Sequence, residues 1–130
     1  MITTLFAVMN VLSAAPAPAV DADKFLHAVE QVAQAHKTPL GPYDITEPVW
    51  RDRAPKHWPY GRARVEKYAR VVAKDHLRWL ADGLVRAGLE PDVYALGACW
   101  RLGLEGGKKA IRAGARVDYA AYVRNIYYLP

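Results

Sequence analysis

The sequence is poor in the side chains that most often carry chemistry. Its 130 residues hold one cysteine, Cys99, so neither an intramolecular disulfide nor a cysteine-based zinc cluster can form. Cys99 sits in the apolar run Tyr94-Ala95-Leu96-Gly97-Ala98-Cys99-Trp100, the setting of a buried, inert thiol. The only serine is Ser13, near the N-terminus, which leaves the body of the chain without a serine nucleophile. His27, His36, His57 and His76 are scattered, with no His-x-x-x-His or His-Glu spacing, and this argues against a metal site. No phosphate-cradling loop is present. Gly103-x-x-Gly106-Gly107-Lys108-Lys109 has neither the spacing nor the preceding strand, and no cofactor motif is found elsewhere.

Charge is missing from Met1 to Ala19. There a short apolar stretch, Leu5 to Leu12, precedes small residues at Ala15-x-Ala17 and Ala17-x-Ala19, the outline of a secretory signal. No Lys or Arg precedes it, which departs from that outline, and a retained Ala/Pro segment is the alternative reading. The stretch is too short to span a bilayer. The expected mature domain is 20–130, placed outside the cell or in the periplasm or envelope.

What is present points to helices. Asp21 or Asp23 can cap a first helix, with Phe25, Ala28, Val29, Val32 and Ala33 on one side. The prolines and glycine between Lys37 and Pro42 stop it. Tyr43 to Thr46 reads as extended or turn-like. Thr46-Glu47-Pro48 reads as a helix start, and Arg53 to Gly61 as an ordered loop. The longest helix is predicted from Arg64 to Ala87, with Val65, Tyr68, Val72, His76, Trp79 and Leu80 on its stripe and Gly88 ending it. Pro91 opens the next helix, through about Leu102. Gly103, Gly106 and Gly107 then break the chain before a short basic helix, Lys108 to Arg112, and a last helix spans Asp118 to Tyr128. The fold class is mainly α, a single domain of five to six helices with little or no sheet.

Several segments, in order, resemble one family. Leu40-Gly41-Pro42-Tyr43-Asp44-Ile45-Thr46 resembles the Gly-x-Tyr-Gln-Ile segment of lysozyme-like enzymes. Val71 to Leu80 resembles the central helix of small lytic transglycosylases. Tyr94 to Leu104 resembles their Ala-x-Ala-Trp-Asn-Ala-Gly helix end, and Asp118 to Tyr127 their closing helix. The resemblance implies a lysozyme-like helical domain directed at peptidoglycan. It also implies that Tyr43, Ile45, Trp100, Arg101 and Tyr119 border the sugar. A glutamic acid at the end of the first helix, its pKa raised by partial burial, protonates the glycosidic oxygen in such enzymes.

Here the pattern is broken. Leu26-His27-Ala28-Val29-Glu30-Gln31-Val32-Ala33-Gln34 puts Ala33 where that glutamate belongs. Asp44 replaces the family's glutamine and Arg101 its asparagine. Three readings stand side by side. The domain binds glycan without cutting it; or it cuts with Glu30, one turn before Ala33, or with Asp44; or it keeps the fold as a structural protein of a virion or envelope assembly. The net charge of +5 suits an anionic partner. The most concentrated basic run, Lys108 to Arg116, reads as a solvated face ahead of a nucleic-acid contact. Trp50, Trp58, Trp79 and Trp100 read as core.

Overall fold

A computed structural model describes residues 19–130 as five α-helices and one 3-10 turn, with no strand among the described residues. The Met1–Ala19 segment, and the export signal read there, lie outside the described residues but for Ala19. The elements are α1 (Ala22–His36), α2 (Glu47–Arg53), the 3-10 turn (Tyr60–Arg64), α3 (Glu66–Arg86), α4 (Val93–Ala113) and α5 (Asp118–Tyr127). No helix among them is long and apolar enough to cross a membrane.

Local chemistry accounts for the boundaries. Asp21 caps α1 by accepting the Lys24 amide at 3.0 Å, and Asp92 caps α4 by accepting that of Ala95 at 2.8 Å. Thr46 stands at the N-cap of α2 but its side chain makes no cap bond; the proline in the first turn does the starting. Pro91 lies just outside α4, and Gly88, at φ 75°, follows α3 as expected. The long helix begins at Glu66, because Tyr60–Arg64 is wound as a 3-10 turn.

The glycine-rich stretch of α4 differs from its reading as a broken segment. Only Gly103 leaves helical geometry, at φ 80° and ψ 168°, and it makes an elbow between two helical arms. Gly106 and Gly107 lie inside the second arm, which runs on to Ala113 instead of forming a separate short helix. Gly107 is there for a close approach. A Cβ at that position would lie 2.4 Å from Cys99 Sγ and 2.8 Å from Cys99 Cα, so the arms meet where only hydrogen fits.

The core forms where α1, α4 and α5 pack together, with α3 against α4 and α2 against α3. Phe25, Leu26 and Val29 of α1, Leu80 and Leu84 of α3, Leu96 of α4 and Val123 of α5 are wholly buried or nearly so. Truncating such a leucine to alanine removes about 2–5 kcal/mol. The α3 stripe lies on Ala69, Val72, Ala73, His76, Leu77, Leu80 and Leu84, while Val65 and Trp79, expected to be inside, are exposed. Of the four tryptophans, Trp50 alone is fully core; Trp58 and Trp100 are partly buried. Tyrosine hydroxyls tie the ends of the chain to it: Tyr127 accepts the Asp21 amide at 3.0 Å and Tyr94 that of Val117 at 2.9 Å.

Candidate functional site

The site begins where α1 ends. Lys37 takes a left-handed conformation at φ 52°, and the chain turns back through residues 39–44. Thr38 fastens this return twice. Its amide donates to the Ala33 carbonyl at 3.2 Å, and its hydroxyl donates to Asp44 Oδ1 at 2.7 Å. Asp44 itself sits at φ 57°, a conformation that aspartate tolerates better than most residues.

Tyr43 anchors the turn from within. Its ring is buried, and its hydroxyl donates to Glu66 Oε1 at 2.6 Å and accepts from Arg70 Nη1 at 2.9 Å. Burial and, next, the bond to Glu66 push the phenol up to about 12, against the opposing guanidinium. Arg70 continues to Asp23 on α1 at 2.5 Å, and Lys74 joins the same carboxylate at 3.1 Å. These cations, the Lys74 bond first, hold the Asp23 carboxyl below its ordinary range. The network of Asp23, Arg70, Glu66 and Tyr43 therefore fixes the turn against α1 and α3. Ile45 is likewise buried, and its carbonyl accepts from the Tyr60 hydroxyl at 2.7 Å. The side chains of Tyr43 and Ile45 thus face the core and hold the turn; they do not face solvent.

α4 and α5 close the other side. Trp100 donates its indole N–H to the Tyr43 carbonyl at 2.9 Å and rests edge-on against Phe25. Arg101, the next residue, is exposed and lies just before the Gly103 elbow. Tyr119, in the first turn of α5, is buried, yet its hydroxyl has no hydrogen-bond partner among the described residues. Burial above all, then the Asp44 carboxylate, raises its pKa, and Arg101 opposes them. Asp44 and Arg101 both lie within electrostatic reach of the Tyr119 phenol. Tyr122, 48% exposed, lies one turn further along α5 with its ring 6.0 Å from that of His36.

Of the residues singled out in the sequence, Ala33, Tyr43, Asp44, Ile45, Trp100, Arg101 and Tyr119 come together. Ala33 is 4% exposed, on the core stripe of α1. Glu30 lies three residues earlier, about 60° round the helix. It is half-buried, and no hydrogen bond or ion pair among the described residues joins it to Asp44. Sequence reasoning missed Thr38 and the pairing of Tyr122 with His36. The Glu66–Arg70 pair was visible as an i,i+4 acid and base, but nothing in the sequence aimed it at Tyr43. Among the described residues no group of three His, Cys, Asp or Glu is placed to hold a metal. Compared with known proteins, the chain matches no family model, no curated protein and no solved structure.

Proposed function

We propose that this chain is a peptidoglycan-directed, lysozyme-like domain that binds glycan and does not cut it. The observation that carries the reading is the meeting of the end of α1 and the Asp44 turn with the stretch of α4 before the Gly103 elbow and the first turn of α5, at a place where the helix carries Ala33. An acid at that point would have a buried neighbourhood, an adjacent carboxylate in Asp44 and a cation in Arg101. Alanine has no proton to give. General acid help is worth about 10²–10⁴ in rate, and glycosidic oxygen leaves poorly without it. What remains suits binding: an exposed ring in Tyr122 and, in Arg101, an exposed guanidinium without an acidic partner among the described residues.

The test has two readouts on the same sample, the purified protein incubated with insoluble peptidoglycan. Protein should sediment with the sacculi, less so for Arg101→Ala with Tyr122→Ala, and no soluble glycan should be released. Ala33→Glu should restore some release at most, because Asp44 and Arg101 still depart from the residues such enzymes use around sugar. Release by the native chain that Glu30→Gln abolishes would make Glu30 the acid and overturn the non-cutting reading. Failure to sediment would overturn the glycan-directed reading itself and favour the structural role.

A further inference from the structure

Between positions 51 and 70 the chain carries seven Lys and Arg against Asp52 and Glu66, an excess equal to the +5 net charge of the whole protein. The rest of the chain is therefore balanced. Two of these cations are neutralised, Arg51 by Glu47 and Arg70 by Asp23 and Glu66. Arg53, Lys56, Arg62, Arg64 and Lys67 have no acidic partner among the described residues, and positions 1–18 contain no acidic side chain that could supply one.

The fold gathers these charges on one side of α3. α2 and the 3-10 turn both pack against that helix. Arg53, at the end of α2, lays its guanidinium 3.9 Å from the ring centre of Trp79. Arg62, in the 3-10 turn, lies 4.5 Å from that of Tyr68, with Lys67 at 5.1 Å. Tyr68 and Trp79 are three turns apart on the same side of α3, a span of about 16 Å. Lys56 stands exposed on the loop between α2 and the 3-10 turn, and Arg64 donates only to a neutral carbonyl, that of Pro39, at 3.1 Å.

The rings on this face already carry neighbours, although Trp79 keeps 37% of its surface exposed. Trp79 stacks on His76 with 15° between planes as well as meeting Arg53. Trp58 stacks on Trp50 at 30° and meets Tyr68 edge-on. Tyr68 carries Arg62 and Lys67. At most the exposed part of Trp79 is left for a nucleobase, short of the successive platforms on which single-stranded nucleic acids stack. What faces outward is the exposed Lys56, Arg64 and Lys67, with Arg62 half-buried among them, while Arg53 is half-buried with its Nε shielded from solvent. Rings set against the guanidiniums of Arg53 and Arg62 also restrict them beforehand, which lowers the entropy lost when they grip an anion. Planar, always-charged forks matched by two point charges suit phosphate oxygens spaced along a chain.

We propose that the face formed by α2, the following loop, the 3-10 turn and the start of α3 binds a phosphodiester-linked anionic polymer without bases, of the poly(glycerol phosphate) kind found in cell walls. The contact is to phosphate alone, and it is separate from the Asp44 turn and does not depend on how that site is used.

The probe is a fluorescently labelled poly(glycerol phosphate) oligomer, with binding by the full chain read as anisotropy. Four phosphate contacts predict roughly a 50-fold fall in affinity between about 50 and 200 mM salt, from the counterion slope of flexible single-stranded polyanions. Lys56→Gln with Lys67→Gln, both exposed and outside the core, should weaken binding about tenfold or more, while Lys108→Gln with Lys109→Gln should change it less than twofold. An unaltered circular dichroism spectrum checks that both variants fold. Equal losses from the two pairs would overturn the proposal and leave only diffuse attraction. So would tighter binding of an oligothymidylate of equal charge, which would make the face a nucleic-acid site. Equal affinity for polyglutamate, or binding only to anionic lipid vesicles, would likewise overturn it.

Discussion

Two basic stretches, 51–70 and 101–116, differ in what the fold does with them. The second is the denser in sequence between Lys108 and Arg116. In the structure part of it is spent: Lys108 pairs with Glu105 at 2.7 Å and Arg116 with Asp118 at 2.8 Å, while Arg112 donates only to the neutral Ala87 carbonyl at 3.1 Å, and Arg101 and Lys109 have no acidic partner among the described residues. The first is interrupted by prolines, aromatics and two acids, yet five of its cations have no acidic partner among the described residues. Charge density along the chain is thus a poor guide to charge available at the surface. What decides it is whether the fold brings an acid to the cation, as Glu105 lies for Lys108 and Asp23 for Arg70, or sets it against rings that leave it charged.

The comparison can be broken most severely at the foot of each stretch. Trp50 anchors the first, 2% exposed, with its indole bonded to the Trp58 carbonyl at 3.1 Å. Trp50→Ala should lower stability by about 3–5 kcal/mol, read as a shifted midpoint in urea. A smaller shift would mean that the face rests on its surface stacks.

Next come the buried titratable groups beneath the stretches. His76 lies under the Arg53–Trp79 stack, and burial, then Arg53, lowers its pKa to about 4. The unfolded chain binds this proton first, so stability should fall as pH drops from about 6.5 toward 4, by on the order of 3 kcal/mol. Cys99 lies under the second stretch, and burial raises its thiol to about 11. Its unfolded form ionises first, so stability should fall as pH rises from 9 toward 11. Melting temperatures of His76→Gln and Cys99→Ala against pH should flatten the acid and alkaline edges respectively. An acid edge unchanged in His76→Gln would assign that edge to carboxylates.

Gly107→Ala tests the second stretch through its backbone. The added methyl meets Cys99 main-chain atoms, which cannot swing aside, and about 1–3 kcal/mol should be lost in thermal melts. The smallest effect belongs to Arg51→Gln. Its pair with Glu47 is an exposed i,i+4 contact, and the change should move stability by less than about 0.5 kcal/mol.

The helices were legible because their signals are local. Asp21, Gly88 and the proline two residues after Thr46 mark boundaries without tertiary help, whereas α4 is capped by Asp92, one residue past the Pro91 where the sequence opens it. The stripe of α1 is legible in the sequence except for Leu26, which is fully buried beside it. That of α3 was displaced, since Val65 and Trp79 look apolar to a periodicity argument while the helix turns its small residues, Ala69 and Ala73, inward to let its neighbours approach. Gly106 and Gly107 were misread for a related reason: a glycine that ends a helix and one that admits another backbone are identical in sequence. At the candidate site, the coming together of Ala33, Asp44, Trp100, Arg101 and Tyr119 followed segment order. The inward direction of Tyr43 and Ile45 did not, because it depends on Glu66, Arg70 and Tyr60 arriving from elsewhere in the chain.

The elbow at Gly103 has a mechanical side. A bend at a lone glycine would ordinarily be a hinge, but the second arm is wedged against Cys99 four residues beyond it, and Leu104 fills the space beside Gly83. A push on the outer end of that arm is therefore carried through Cys99 into the bundle, and the bend acts as a welded bracket. Backbone amides of 104–107 should then exchange their hydrogens as slowly as those of the arm before the bend, and only a residue change at the weld should let the arm flap.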